Sequence, residues 1–502
     1  MKGTLFTWVL AAAGSVFAAA PLGERYRALW NDEVNAAIDR RIERHRKADC
    51  TVRGFRPGSA VKVEQVASEF QFGANMFLFD QLGSDEMNRR YRAAFGEIFN
   101  AATIPFYWKA FEPERGLERF SARTAADTAA FWNAFDFAHD DPYRHVEYRR
   151  PAPEPLMAYC ETNGIAMHGH ALVYMAYIPA WLDDAKWSRD EMEGLLAGHI
   201  RSIAAKCRGR IGQWDVVNES TGRDGTCTPS TPNDDASWYV RYGKIRCPMP
   251  KDYTFKSFKW AAEAFPPDVK LSLNDAWPTN QCYAPFAKSL VDRGAKIDVV
   301  GLQKHVFKPA QLLSIAKGET DVIPSGTAWA PATQIAQLGE LDRAGRPIHI
   351  SEITIPSPRG LEGLSDDEAD AIQARGLTDQ YRLWFSWPSV YRISYWNAVD
   401  SIGGEILESG FFHRDMSRKP AYHALWKLVN EEWRTKTSVR AGAGGVIRFR
   451  GFKGKYRLSW LDASGKERES IVKLGSSGGA AWIPVDDPSP AADRTAEYVK
   501  AF

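Results

Sequence analysis

Short apolar runs alternate with longer amphipathic stretches from about residue 70 to residue 432. A short, mostly apolar run is typical of a parallel strand buried on both faces, and apolar residues three or four apart indicate a helix. The strands predicted in this way are 70–77, 101–105, 165–173, 212–218, 269–273, 297–302, a run that ends at Glu352, and 391–396. Eight strand–helix alternations predict an α/β fold, a (β/α)8 TIM barrel over residues 69–433.

Local signals mark the ends of the helices between these strands. Ser188 and Ser365 each stand three residues before a Glu, which predicts a capping box at a helix start. Gly164, Gly294 and Gly345 follow amphipathic stretches and predict helix C-termini. The long stretches 121–150 and 221–251 lack a clear period and are interpreted as insertions near the barrel mouth.

Both ends of the chain carry alternating, strand-like patterns outside the barrel. A helix over 25–47 and strands at 51–53 and 60–64 predict a small helix-plus-β appendage in residues 21–68. After residue 434 the chain shows Gly-punctuated strands, which predict a β-sandwich-like module over 434–486 and a loose tail over 487–502. We expect the C-terminal module to pack against the barrel or act as a spacer rather than bind glycan.

The first twenty residues have the pattern of a signal peptide. Lys2 is followed by a largely apolar run from Leu5 to Phe17 and by small residues ending at Ala20. We therefore expect cleavage after Ala20 and export, to the periplasm or outside the cell. No other run is long and apolar enough to span a bilayer.

Charge and cysteine content limit the binding partners, disulfides and metal sites that can be expected. A net charge of +2 gives no electrostatic case for nucleic acid or an anionic membrane, and we expect a monomer. Six cysteines in an exported chain permit disulfides. Cys227 and Cys247 bracket a polar loop and are the first candidate pair, although Cys282 competes for either, while Cys160 is expected to be a buried free thiol. No ligand spacing predicts a metal, and no cofactor is expected.

Polar side chains stand where the predicted strands end. Glu219 follows Asn218 at the end of strand four, and Glu352 ends strand seven, 133 residues later. Other strands end in His168 and His170, Asn274 and Asp275, Gln303 and His305, and Trp396. The C-terminal ends of barrel strands meet at one mouth, so these groups should converge. Two carboxylates without metal ligands or a nucleotide loop favour glycoside hydrolysis.

The motifs at these strand ends resemble those of family 10 glycoside hydrolases, the family that includes endo-β-1,4-xylanases. They are HGHALVY at 168–174, WDVVNES at 214–220, LNDAW at 273–277, GLQKHV at 301–306, SEIT at 351–354, YWNAVD at 395–400 and KPAY at 419–422. The resemblance covers roughly residues 70–432 and implies a retaining mechanism with Glu219 as acid/base and Glu352 as nucleophile. It also implies a polysaccharide or oligosaccharide substrate. The implied substrate-binding residues are His170, Asn218, Asn274, Gln303, His305 and Trp396.

The strand-two loop departs from this family pattern. Trp108 is in place, but Ile104 and Tyr107 stand where the family usually has an Asn and a Lys that hold sugars on the non-reducing side. Trp108 and Tyr107 remain candidate substrate-binding residues, with an aromatic ring replacing polar contacts. Xylan is the default substrate. A related barrel glycosidase acting on another β-glycan and a non-catalytic carbohydrate-binding barrel are the alternatives.

Overall fold

Eight parallel strands close into a barrel in the computed structural model, which describes residues 20–121, 150–221, 231–232, 240, 243–275, 282–321, 328–400 and 408–482. The predicted (β/α)8 fold is confirmed. The barrel strands are β3 (Gln71–Asn75), β4 (Ala101–Pro105), β5 (Ala166–His170), β6 (Gln213–Asn218), β7 (Lys270–Asp275), β8 (Val299–His305), β9 (Ile348–Thr354) and β10 (Val390–Tyr395). Each strand pairs with its neighbours in chain order, and β10 closes the ring against β3.

Helices follow the barrel strands and cover the outside of the sheet. They are α3 (Asp85–Ile98), α4 (Trp108–Phe111), α5 (Pro153–Asn163), α6 (Arg189–Cys207), α7 (Tyr253–Ala264), α8 (Tyr283–Asp292), α9 (Pro309–Ala316), α10 (Pro331–Asp342), α11 (Asp366–Ser386) and α12 (Pro420–Lys427), the last continued by one π-helical turn over Leu428–Glu432. The predicted capping boxes at Ser188 and Ser365 are present. Gly164 ends α5 in the left-handed conformation, as its position predicts.

The barrel interior is filled by side chains, and one glycine shows how tightly. Every residue of β6, β8 and β9 is buried. A Cβ at Gly169 would lie 2.3 Å from the ring of Trp214 on the next strand. A side chain at position 169 would therefore displace the largest residue of the strand that carries Asn218.

The N-terminal and C-terminal β segments form one module. It consists of β1 (Lys47–Arg53), β2 (Ala60–Ser68), β11 (Lys436–Arg440), β12 (Val446–Phe452), β13 (Gly454–Leu461), β14 (Glu467–Leu474) and β15 (Gly479–Trp482). The helices that precede it, α1 (Glu24–Leu29) and α2 (Asp32–Arg46), bury their apolar residues in the hydrophobic core of the barrel instead. One sheet has the order β12-β1-β15 and the other the order β11-β2-β13-β14. Buried residues of both sheets, among them Val52, Val63 and Ile447, share one hydrophobic core. Local alternation predicts strands but not which strands pair. Two separate β segments were therefore predicted where the structure has one module.

The cysteines correct one prediction. Cys247 is a buried free thiol, so the predicted Cys227–Cys247 disulfide is wrong, and Cys282 is disulfide-bonded instead. Cys247 packs into the barrel's hydrophobic core, and burial raises its pKa to about 12. A disulfide depends on a short Cβ separation, which closeness along the chain does not guarantee. Cys160 is a buried free thiol, as predicted.

Several sequence expectations lie outside the described residues. These include residues 1–19 of the signal peptide, most of both insertions, and the C-terminal tail. Within the described part of the chain, no helix combines the length and the apolar character needed to cross a membrane.

Candidate active site

The two predicted carboxylates lie at one end of the barrel. Glu219 directly follows β6 with a positive φ of 54°, and its backbone N–H donates to the carbonyl of Asn274 at 2.8 Å. This left-handed turn at the strand end is a strained conformation for a non-glycine residue. Glu352 lies within β9 and is almost completely buried.

A chain of amide side chains connects the two carboxylates. Asn274 Nδ2 donates to Glu352 Oε1 at 2.7 Å and to Asn218 Oδ1 at 2.8 Å. Gln303 Nε2 lies 3.2 Å from the same Asn218 oxygen and 3.3 Å from Glu219 Oε1. These three amides and two carboxylates are thus held as one unit. Glu352 accepts from Asn274, Glu219 accepts from Gln303, and both of these amides also contact Asn218, so the relative position of the two carboxylates is fixed.

Asn274 is itself held from behind. Ser351 Oγ donates to Asn274 Oδ1 at 2.5 Å. Gly301 on β8 supplies the space for this amide, because a Cβ there would lie 2.2 Å from Asn274 Oδ1. The absence of a side chain at Gly301 therefore allows the amide of Asn274 to reach Glu352.

His305 approaches Glu352 from the other side. Its Nδ1 lies 2.8 Å from Thr354 Oγ1, and its Nε2 lies 3.3 Å from Glu352 Oε2. The hydroxyl and the carboxylate fix the plane of the imidazole. Both oxygens of Glu352 are therefore in contact with a polar group from another barrel strand, Asn274 of β7 and His305 of β8.

His170 is positioned by an acid that the sequence analysis did not single out. Asp215 Oδ2 lies 2.7 Å from His170 Nδ1 and 3.0 Å from His168 Nε2, and Ser272 Oγ donates to Asp215 Oδ1 at 2.6 Å. The opposite nitrogen of His170, Nε2, lies 3.8 Å from Glu352 Oε1. An Asp within an apolar strand run, three residues before the strand-end Asn218, was the available signal for this role.

Burial and neighbouring charges shift the pKa values of Glu352, His170 and Asp215. Burial raises the pKa of Glu352 to about 8; His170 opposes this rise, whereas the charges of Glu219 and Asp215 add to it. Burial works against the charge on His170, yet the carboxylates of Glu352 and Asp215 outweigh it and raise the pKa of that imidazole. For Asp215, burial would raise the pKa, but His168 and His170 outweigh burial and lower it. Asp215 is consequently held as an anion, whereas burial disfavours the ionised form of Glu352.

Aromatic rings form a wall beside His170. Tyr107 stacks on Tyr177 with ring centroids 4.6 Å apart and meets His170 edge-on at 5.2 Å. Phe77 contacts both Tyr107, at 5.6 Å, and Trp396, at 4.9 Å. Trp396 in turn lies 5.4 Å from His170. Tyr107 and Trp396 were predicted from the sequence, but Phe77 and Tyr177 were not, because a single ring on a loop gives no local signal of its partners.

Trp108 takes a different position from the other predicted site residues. Its buried ring stacks on His199 with centroids 3.8 Å apart, and its Nε1 donates to Glu112 Oε2 at 2.7 Å. Glu112 also accepts from the backbone N–H of Gly116 at 2.7 Å. These contacts fasten the loop after β4, which carries Tyr107. The remaining predicted residues, Glu219, Glu352, His170, Asn218, Asn274, Gln303, His305, Tyr107 and Trp396, are brought together at the mouth.

An acidic cluster lies apart from this network, after β10. Within the described residues, Asp400, Glu408 and His413 bring ligand-type atoms within 4.8 Å of one another. Lys419 Nζ lies 3.0 Å from Asp400 Oδ1 and donates to the carbonyl of Glu408 at 3.0 Å. The ammonium group supplies the positive charge that these carboxylates require, so the cluster is a buried ion pair.

Comparison with known proteins matches the chain to one family. The family model described as Glycosyl hydrolase family 10 matches residues 108–428. Endo-1,4-beta-xylanase A from Humicola insolens is 30% identical over 333 residues, covering 61% of this chain and 78% of that protein. Endo-1,4-beta-xylanase B from Thermotoga neapolitana is 28% identical over 311 residues, covering 57% of this chain and 77% of that protein.

Solved structures share the barrel. Xylanase 10B from Thermotoga petrophila RKU-1, solved in complex with xylobiose, superposes with a TM-score of 0.53 at 20% identity, covering 72% of this chain and 95% of that one. Native xylanase 10B from Thermotoga maritima gives a TM-score of 0.53 at 21% identity, covering 72% and 96%. At these identities the likeness concerns the fold.

Proposed function

We propose that this chain, which belongs to glycosyl hydrolase family 10, cleaves β-1,4-linked xylan-like chains with retention of anomeric configuration, using Glu352 as nucleophile and Glu219 as acid/base. The observation that carries the proposal is the pair of carboxylates at the ends of β6 and β9, both held by the same amide chain. A retaining glycosidase needs two such carboxyl groups on opposite sides of the scissile bond.

The first step is attack by Glu352 on the anomeric carbon. Glu219 gives its proton to the glycosidic oxygen, so the leaving chain departs as a neutral alcohol. In the second step Glu219 takes a proton from water, which displaces the sugar from Glu352 and restores the anomeric configuration. The hydrogen bonds to both oxygens of Glu352 hold the carboxylate in place for in-line attack.

The surrounding side chains fit the sugar that becomes bonded to Glu352. His170 Nε2 is buried and has no hydrogen-bond partner among the described residues, and it stands beside the nucleophile. It is placed to bind a sugar hydroxyl. Trp396, which packs edge-on to His170, supplies an apolar face of the kind that sugar rings stack on. Trp108 acts as a support for the loop of Tyr107 rather than as a contact to sugar.

The substrate class rests on the relatives, which are named for endo-1,4-beta-xylanase activity. The apolar run over residues 5–17, preceded by Lys2, supports export of the protein to a compartment where polysaccharide is available.

A substrate panel tests the proposal directly. Purified protein is assayed on xylan, arabinoxylan, mannan, β-glucan and aryl β-glycosides, and the anomer first released is identified by NMR. We expect hydrolysis of a xylan-type substrate with the β-anomer as first product. Hydrolysis of mannan or β-glucan alone would move the enzyme to another β-glycan, initial release of the α-anomer would refute retention, and activity on no substrate would leave a carbohydrate-binding barrel.

Two matched variants assign the roles. Glu352→Gln should abolish turnover on every substrate, because the amide is not a nucleophile. Glu219→Gln should spare substrates whose leaving group needs no proton, such as 2,4-dinitrophenyl glycosides, far more than natural chains. Equal losses on both substrate types for Glu219→Gln would contradict its assignment as acid/base.

A further inference from the structure

We propose that the active site holds only one sugar on the non-reducing side of the cleaved bond, so that the enzyme removes single sugars from the non-reducing ends of chains. The proposal rests on the glycosidase function above. Its basis is the aromatic wall, a cluster of packed rings defined by Phe77, Tyr107, Tyr174, Tyr177 and Trp396.

Strand order divides the mouth into two unequal halves. The carboxylates stand on the fourth and seventh barrel strands, β6 and β9. A line between them leaves β10, β3, β4 and β5 on one side and β7 and β8 on the other. Every member of the aromatic wall follows a strand of the first half, since the five residues come after β10, β3, β4 and β5. A glycan bound across this line therefore has the sugars on one side of the cleaved bond in one half and the sugars on the other side in the other half.

The half that carries the wall is filled. Phe77 is 0% exposed, Tyr107 is 5% exposed and Trp396 is 4% exposed. Their centroids are 4.9 Å to 5.6 Å apart along the series Tyr107, Phe77, Trp396, which is the spacing of packed rings. Rings in mutual contact leave no slot between them for a second sugar.

A buried cation completes this side. The guanidinium of Arg150 lies 4.6 Å from the ring centroid of Phe77 and 5.4 Å from that of Tyr107, and the residue is only 5% exposed. A guanidinium placed over ring faces stabilises the rings in that position. The wall is therefore a packed structure, rather than a set of side chains free to swing aside.

Contacts to the nucleophile identify the filled half as the non-reducing side. The sugar that bonds to Glu352 must lie against His170, whose Nε2 is 3.8 Å from that carboxylate, and against Trp396, whose ring packs edge-on to His170. Tyr107 stands directly behind His170, at 5.2 Å, where the next sugar toward the non-reducing end would begin. On the other side of the line, Phe307 after β8 is 50% exposed and stacks on His305, so that half presents an open ring to the leaving chain.

Product analysis on xylotetraose reduced to its alditol separates the possible outcomes. We expect xylose and xylotriitol as the first products, and xylose with 4-nitrophenyl β-xyloside as the first products from 4-nitrophenyl β-xylobioside, because a second sugar would find no binding site on the non-reducing side. Initial release of xylobiose from either substrate would overturn the inference and leave the glycosidase function standing. Release of xylitol with xylotriose would overturn the assignment of the sides. Absence of any hydrolysis would refute both the function and the inference.

Variants connect the product length to the wall. Tyr107→Ala removes the ring behind His170 and should introduce xylobiose as an early product. Tyr177→Ala, at the more exposed end of the stack, should act in the same direction and serves if Tyr107→Ala does not fold. Phe307→Ala in the other half is the matched aromatic control, and it should continue to release xylose first. An unchanged product pattern in both folded tyrosine variants would overturn the proposal.

Discussion

Gly301→Ala should disable the enzyme by moving one amide, without touching either carboxylate. The added Cβ would lie 2.2 Å from Asn274 Oδ1 and 2.9 Å from its Cγ, so the side chain of Asn274 must shift. The amide then loses its 2.7 Å bond to Glu352 and its 2.8 Å bond to Asn218. A hydrogen bond to a charged group contributes about 1.5–3 kcal/mol, and tenfold in rate is about 1.4 kcal/mol. We therefore expect kcat/KM to fall about 10- to 100-fold.

A double-mutant cycle tests this chain of causes. Gly301→Ala, Asn274→Ala and the combined variant are compared by kcat/KM on one soluble substrate, with folding checked by circular dichroism. The combined variant should be no more than about threefold worse than Asn274→Ala alone, because the two changes remove the same contact. Gly339→Ala is the matched control, since Gly339 lies in α10 with nothing within 4 Å of an added Cβ. Full activity in Gly301→Ala, or losses that multiply in the combined variant, would refute the role given to Asn274.

Three further outcomes follow from the structure. On a 2,4-dinitrophenyl glycoside, whose leaving group needs no proton, the pH profile of kcat/KM should rise near pH 8, the pKa of Glu352, rather than near the value of about 4.3 of a solvated Glu, because only ionised Glu352 attacks. His170→Asn should move this rise to higher pH, and a rise near pH 4–5 in the parent enzyme on this substrate would contradict the assignment. Lys419→Met should lower the free energy of unfolding by about 3–5 kcal/mol, measured in urea, because it removes the buried ammonium group 3.0 Å from Asp400 Oδ1, whereas an unchanged midpoint would show that the ion pair is not needed. Deleting residues 21–68 should make residues 434–482 sensitive to protease, because β1 is the central strand of one sheet and β2 is an inner strand of the other. Persistent resistance would mean that the C-terminal strands fold alone.

The barrel and its carboxylates were predictable because their signals are local. Strand β4 has the bounds 101–105 that its apolar run predicts, and the capping boxes at Ser188 and Ser365 fix helix starts within a few residues of sequence. In a parallel barrel, the end of each strand already specifies which face a residue reaches. Glu219 and Glu352 could therefore be placed together without knowledge of any contact.

What escaped prediction depends on contacts between distant segments. The pairing of β1 with β12 joins residues about 400 positions apart, and nothing in the alternation of either strand names its partner. Asp215 was passed over because its role arises from His168 and His170 on the neighbouring strand. The bond of Cys282, in place of Cys247, is likewise decided by three-dimensional distance rather than by order along the chain.

On the two proposals above, catalytic strength and substrate length depend on different strands of this barrel. The groups that hold the two carboxylates, Asn218, Asn274 and Gln303, come from β6, β7 and β8. The aromatic wall comes from the loops after β3, β4, β5 and β10, and it meets the nucleophile's surroundings through His170. A change at Tyr107 or Tyr177 thus leaves every hydrogen bond to Glu352 intact, whereas a change at Asn274 leaves the wall intact. Substitutions in the wall should accordingly alter which products form while the pH profile stays fixed, and substitutions in the amide chain should do the reverse.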